Sequence, residues 1–286
     1  MKIILVISLG TLLYITTTIQ VQKKSIASLI SKNFHVLTVK VKNRDLQLSP
    51  NDKLDNTNSL ILNFQAREGT TSSNAGRRTA GDKYGDSKCL SVDKRLTAIV
   101  PGIDNQSFPS LTAQKHPTFW FYIPYYSDST SPLVAEFSLL TKNTENNNIR
   151  IFEKTYELEG TPGIIGISLP EATPLEINRN YRWVFSIICN PQDRSEDMYV
   201  SGLVQRVNQN QIPPLTATPS QRAVIYAEDG LWNETLTTII CEVLPRERQQ
   251  ARLLIKQLFE SEYVRLEIFT EEIIISESCT LTTLLD

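Results

Sequence analysis

The chain has 286 residues, 41% of them apolar and 21% charged, and a formal net charge of −2. That is the composition of a globular protein long enough for one large domain or two small ones, and not of a disordered chain. A charge balance so near neutral sets up no basic field for nucleic acid, so that class of partner is not expected.

Met1-Lys2 is followed by thirteen residues without a charge, Ile3 to Ile15, then by Thr16, Thr17 and Thr18 and by Lys23 and Lys24. A basic start, a short apolar stretch and small residues after it read as a secretory signal peptide over residues 1–20. No A-x-A cleavage pattern stands there, which leaves an uncleaved membrane anchor as the alternative. The run is shorter than the ~20 residues of a spanning helix. The expected location is periplasmic or extracellular, with membrane contact only if this segment is retained. An oxidising compartment allows the four cysteines to pair. Cys89 and Cys189 flank the strand-rich region and are the expected disulfide; two separate buried thiols are the alternative. The cysteine spacings do not fit zinc patterns, and no metal ligand is expected.

Residues 21–88 read as a polar arm and linker: the first part lacks a clear period, and 67–88 is rich in Gly, Ser and Thr. From 89 to 210 short strands alternate with turn residues. They are expected at 96–100, 117–123, 134–140, 149–158, 164–169, 181–189 and 198–207. Pro101-Gly102, Asn146-Asn147-Asn148, Gly160-Thr161-Pro162-Gly163 and Asn190-Pro191-Gln192-Asp193 punctuate them. In 134–140, Ala135, Phe137 and Leu139 alternate with Glu136 and Ser138, as in a half-buried strand. The run Phe119-Trp120-Phe121-Tyr122 reads as a central strand buried on both faces. Seven strands at this spacing imply a mainly β fold, an antiparallel β-sandwich of immunoglobulin-like or jelly-roll-like type.

After Pro213-Pro214 the period changes to that of helices, giving a C-terminal annex over 216–262. Thr218-Pro219-Ser220-Gln221 has the form of a capping box with Pro at the first helical position. Helices are expected at about 219–229, 233–244 and 246–261, with Leu254, Leu258 and Phe259 on the apolar face of the third. Gly230-Leu231-Trp232 and the residues that follow resemble the turn and second helix of a tetratricopeptide unit. In the tail, 263–286, Glu271-Glu272-Ile273-Ile274-Ile275 reads as a strand with no assigned neighbour.

Several of these pieces, in this order, resemble the cyanobacterial family called domain of unknown function 928. They are Gly76-Arg77-Arg78, Leu96-Thr97-Ala98-Ile99-Val100-Pro101 and Pro117-Thr118-Phe119-Trp120-Phe121-Tyr122-Ile123-Pro124. Gly160-Thr161-Pro162-Gly163-Ile164, Tyr181-Arg182-Trp183, Cys189-Asn190-Pro191-Gln192-Asp193-Arg194-Ser195 and Ile225-Tyr226-Ala227-Glu228-Asp229-Gly230-Leu231-Trp232 continue the series. The resemblance covers about 76 to 260 and implies no established activity.

Chemistry-bearing motifs are sparse. The two histidines, His35 and His116, are the only material for a His-based site. No nucleophile elbow, Walker loop, H-E-x-x-H or calcium loop is present, so no catalytic residue and no cofactor is expected. Arg77-Arg78 reads as a solvated loop, with anion binding or processing as its functional alternative. Asp193 to Asp197 reads as a capped hairpin loop, with calcium binding as the alternative. The leading expectation is an exported, non-catalytic module that binds another envelope protein. Its contact surface would be an apolar patch of Leu254, Leu258 or Phe259 left uncovered on the third helix. The first alternative is a carbohydrate-binding sandwich that uses Tyr125 and Tyr126, which leave the strand after Pro124. The second is a hydrolase built on strand carboxylates such as Glu136, Glu153 and Glu157.

Overall fold

The computed structural model describes residues 60–70, 76–81, 89, 92–127, 132–158, 161–275 and 279. The expected signal peptide at 1–20, residues 21–59 of the arm and residues 280–286 of the tail lie outside the described residues. Among those described, no helix is long and apolar enough to cross a membrane.

The aromatic run dictates the architecture. Residues Thr118–Ile123 form a strand whose six residues are all buried. Side chains alternate along a strand, so Phe119, Phe121 and Ile123 face one way and Trp120 and Tyr122 the other. Both faces are apolar, and both need cover. This strand, β6, is the centre of a three-stranded antiparallel sheet with β2 (Thr97–Ala98) and β9 (Gly163–Ser168). The opposing sheet has five strands in the order β5 (Ser110–Thr112), β11 (Met198–Arg206), β10 (Asn180–Ile187), β7 (Leu133–Lys142) and β8 (Asn148–Leu158). Its pairs are antiparallel except β5 with β11. A small third sheet joins β1 (Gly76–Arg77), β4 (Gln106–Ser107) and β3 (Gly102–Ile103). The protein is thus mostly β, built on antiparallel sheets with a few helices.

The two larger sheets meet through one aromatic core. Phe121 stacks on Phe185 at 4.1 Å and meets Trp183 edge-on at 5.7 Å; Phe119 lies 5.0 Å from Phe137. Burying each of these rings contributes about 1.5–3 kcal/mol. Trp183 fits because the residue directly opposite it on β11 is Gly202. A Cβ there would sit 2.7 Å from Cε2 of the indole.

The other face of β6 is covered by the C-terminal helices α1 (Pro219–Glu228), α2 (Trp232–Thr238) and α3 (Arg248–Phe259). The capping box at Thr218 and Gln221 forms in both directions. Gly230 takes φ +68° in the turn between α1 and α2, where a Cβ would stand 2.6 Å from the Gln65 carbonyl oxygen. Trp120, Tyr122, Ile99 and Ile164 from the sheet pack with Trp232, Leu236, Leu254, Leu258 and Phe259 from the helices. Indole Nε1 atoms cross this interface both ways, from Trp120 to Thr237 Oγ1 at 3.1 Å and from Trp232 to the Ile99 carbonyl at 2.9 Å. The layers are therefore five-stranded sheet, three-stranded sheet and helices.

Three expectations are corrected here. Leu254, Leu258 and Phe259 were expected to leave an apolar patch, yet all three are buried, none more than 1% exposed. The reason is that the sheet below them is apolar on its outer face as well, and absorbs the whole stripe of α3. Second, the arm does not end where the sheets begin. Leu62 and Phe64 are buried, Phe64 lies edge-on to Trp232 at 5.3 Å, and the Gln65 amide donates to the Ala227 carbonyl at 3.0 Å. Third, Arg77-Arg78 is not a solvated loop, because β1 belongs to a sheet and Arg78 is 4% exposed. In the tail, Ile274 bridges Ile164 in parallel, so 273–275 extends the three-stranded sheet beyond β9.

Candidate functional site

Cys89 and Cys189 are joined as a disulfide, Cα atoms 5.4 Å apart, and so are Cys241 and Cys279, at 5.5 Å. The second pair went unread in the sequence, although an even cysteine count is a signal for it wherever disulfides are expected. Tyr125 is buried, and burial pushes its hydroxyl up to about 12. Tyr126 beside it is 75% exposed, so the two rings do not form an open row. The acidic turn is held by local bonds. Asp193 Oδ1 accepts from the Ser195 amide at 3.0 Å and hydroxyl at 2.6 Å, and Arg194 pairs with Asp197 at 2.6 Å and Glu136 at 3.4 Å. Glu153 pairs with Arg150, and Glu157 points to solvent. Among the described residues no group of three or more His, Cys, Asp or Glu is placed to hold a metal ion. His35 lies outside the described residues.

The buried ionisable groups tie layers together. Arg78 donates to the carbonyls of Val264 at 2.6 Å and Arg265 at 2.5 Å, anchoring β1 to the turn after α3. Burial pulls its guanidinium down to about 10, with Glu267 and Asp104 opposing. Asp229 binds the Arg67 guanidinium at 2.8 Å and the Asn210 amide at 2.8 Å, joining the early segment, the linker after β11 and the end of α1. Glu234 Oε1 accepts from the Thr112 hydroxyl at 2.8 Å and from the amides of Ala113 at 2.6 Å and Gln114 at 2.9 Å. Burial raises its carboxyl above the usual range, and those donors pull the other way.

An open apolar groove lies where α2 continues into a π-helical turn, Ile239–Val243. The Leu244 amide donates to the Ile239 carbonyl at 2.9 Å, five residues back, which widens the helix at this point. Ile240, Leu244, Pro245, Ile255, Ile273 and Ile274 line about 800 Å3, and Cys241 and Cys279 stand in the wall. Arg248, Arg252, Glu271 and Glu272 bring charges of both signs to the lining, and Glu272 also pairs with Lys94. Ile273 is 69% exposed. The sequence held a hint of this groove: Leu236, Ile239, Ile240, Val243 and Leu244 are more apolar residues than one helix stripe uses, and Ile240 and Leu244 contribute to the groove's lining.

No curated protein matches the chain. The family pattern described as Domain of Unknown Function (DUF928) matches it over residues 73–272, from β1 to the segment that closes the groove. That span takes in all three layers of the fold, and the chain belongs to this family.

Proposed function

We propose that this chain is an exported, non-catalytic interaction module of the cell envelope that holds a protein partner in the groove between the π-helical turn, α3 and residues 270–274. The observation that carries the reading is the groove itself: about 800 Å3 with a largely apolar lining that also holds two arginines and two glutamates. Such a combination suits an apolar segment flanked by charges. Two disulfides support export, since such bonds persist in oxidising compartments. The non-catalytic reading is supported by the uses of Arg78, Asp229 and Glu234, whose polar atoms bond between layers. We read the paired sheets as a β-sandwich of immunoglobulin-like or jelly-roll-like kind, and the α1–Gly230–α2 unit as tetratricopeptide-like.

The test is affinity capture from envelope extract with the full chain and with Ile273→Asp. Ile273 projects into solvent, so the variant keeps the wild-type melting temperature and loses the captured partner. Equal capture by the folded variant refutes the groove. N-terminal sequencing of exported material checks the leader: a start after residue 20 supports export with cleavage, and intact Met1 in the membrane fraction supports the anchor.

A further inference from the structure

We propose that the Cys241–Cys279 bridge is a site of thiol–disulfide exchange: a dithiol reductant opens it ahead of Cys89–Cys189, and the opening releases the segment that forms one side of the groove. The consequence for a bound partner rests on the groove being that partner's seat. The two bridges sit in different surroundings. Cys89 and Cys189 are each 2% exposed and belong to the core between the two large sheets. Cys241 and Cys279 are half-buried, and both line the groove of about 800 Å3. Exchange requires an attacking thiolate to reach a sulfur atom, so access decides which bridge reacts. The groove gives that access to one bridge, and the core withholds it from the other.

The exchange takes two steps. A thiolate of the dithiol attacks one sulfur of the bridge; the S–S bond breaks, the other cysteine leaves as a thiolate and takes a proton, and a mixed disulfide forms. The second thiol of the reductant, as its thiolate, then displaces the remaining cysteine, which is protonated in turn. The reductant ends as a disulfide and the bridge as two thiols, with two electrons and two protons passed between them. The bridge closes 38 residues, from the π-helical turn to a point just past the segment beside β9. Apart from that covalent tie, the bonds that hold the described residues 270–275 to the sheets are two from the backbone and one ion pair. The Ile164 amide donates to the Ile273 carbonyl at 2.7 Å, the Ile275 amide donates to the Ile164 carbonyl at 2.9 Å, and Glu272 pairs with Lys94. Ile273 is 69% exposed and Ile274 half-buried, so apolar burial adds little. Local opening costs least where backbone bonds are few and apolar contacts sparse. Cutting the tie therefore lets this segment leave β9, and the groove loses Ile273, Ile274 and Cys279 together.

Differential alkylation tests it. The folded full chain is incubated with dithiothreitol at graded concentrations, quenched with iodoacetamide and mapped by peptide mass. Labelling of Cys241 and Cys279 is expected to run at least about tenfold faster than that of Cys89 and Cys189. In the selectively reduced protein, hydrogen exchange should speed by about tenfold or more at the Ile164 and Ile275 amides and stay unchanged at Val184 and Phe185, inside the five-stranded sheet. Cys241→Ser combined with Cys279→Ser should show the same exchange pattern without reductant; should that variant fail to fold, the reduced and alkylated wild type supplies the same measurement. Both bridges opening together, Cys89–Cys189 opening first, a Cys241–Cys279 bridge that resists dithiothreitol until the protein melts, or unchanged exchange at Ile164 and Ile275 after reduction each overturn the proposal. Capture from envelope extract separates it from the function proposed for the groove. Loss of the partner on selective reduction supports both. Capture that survives reduction but is lost in Ile273→Asp overturns the release of the segment and leaves the groove standing. Capture that survives both refutes the groove, and leaves the exchange site to stand or fall on alkylation and hydrogen exchange, which need no partner.

Discussion

Gly202→Ala puts the contact between the two large sheets to the test. The added methyl meets the Trp183 indole, 2.7 Å from Cε2 and 3.1 Å from Cη2, where relaxed carbon contacts are about 3.5–4.0 Å. Cζ2 is closer still, so the ring or β11 must move by more than about an ångström. The ring has little room, with Phe121 5.7 Å and Phe119 6.2 Å from it on the other sheet. Overpacking of this kind costs about 1–3 kcal/mol. Replacing a strand glycine returns roughly 0.5–1 kcal/mol through the unfolded chain. The net loss is about 1–2 kcal/mol, and at about 2–4 °C per kcal/mol for a domain of this size the midpoint falls by roughly 2–8 °C. Scanning calorimetry reads this directly. Trp183→Leu in the Gly202→Ala background removes the collision, so the double variant should be more stable than the sum of the single changes predicts, by about 0.5–3 kcal/mol. A Gly202→Ala protein that melts with the wild type, or strictly additive changes, would show that the indole does not lie against β11.

Breaking the Cys89–Cys189 bridge by paired serine substitution should destabilise by up to about 4–5 kcal/mol, since it closes a loop of 100 residues, and Cys241–Cys279, across 38, by up to about 4 kcal/mol. Denaturant titration of each variant measures both. Burial raises the Glu234 carboxyl, so its neutral form is favoured by folding. Its contribution is complete below the unfolded value near 4.3 and is lost as pH rises through the folded value. Glu234→Gln should flatten that decline in a stability–pH series, and parallel curves would show that the group is not desolvated. Arg78→Ala leaves two carbonyls without donors and opens a void, and should cost about 3–5 kcal/mol. Arg77→Ala, one residue away, should stay within about 0.5 kcal/mol of wild type in the same melt.

The strands of the two large sheets were legible because their alternation is imposed by a one-sided core. Met198 to Arg206, for example, was expected at 198–207 and ends within a residue of that. β6 was legible for the opposite reason, since a run apolar on both faces fits only a strand covered twice. What covered it could not be read, because helical periodicity marks an apolar stripe without saying what lies beneath. Leu254 and Phe259 were therefore expected at the surface. Leu62 and Phe64 alternate with the exposed Ile61 and Asn63, a pattern too short to stand out from the polar residues around it, and Arg78 was read as solvated because an arginine in a glycine-rich stretch gives no sign of the carbonyls that receive it. The groove depends on a π-helical turn, which shifts the helix phase in a way that side-chain spacing alone does not disclose.

The order of the layers along the chain bears on when the fold can close. Trp120, Tyr122 and Ile164 belong to the middle sheet, and the groups that seal them, from Trp232 to Phe269, belong to the last quarter of the sequence. The segment at Leu62 and Phe64 comes far earlier and packs against those same helices. A ribosome releasing this chain from its N-terminus exposes the apolar outer face of β6 long before the covering helices exist. Contacts between such distant parts form slowly, because long loops must close first. The nascent chain therefore remains unlocked until synthesis is nearly finished, which demands protection from aggregation during that interval.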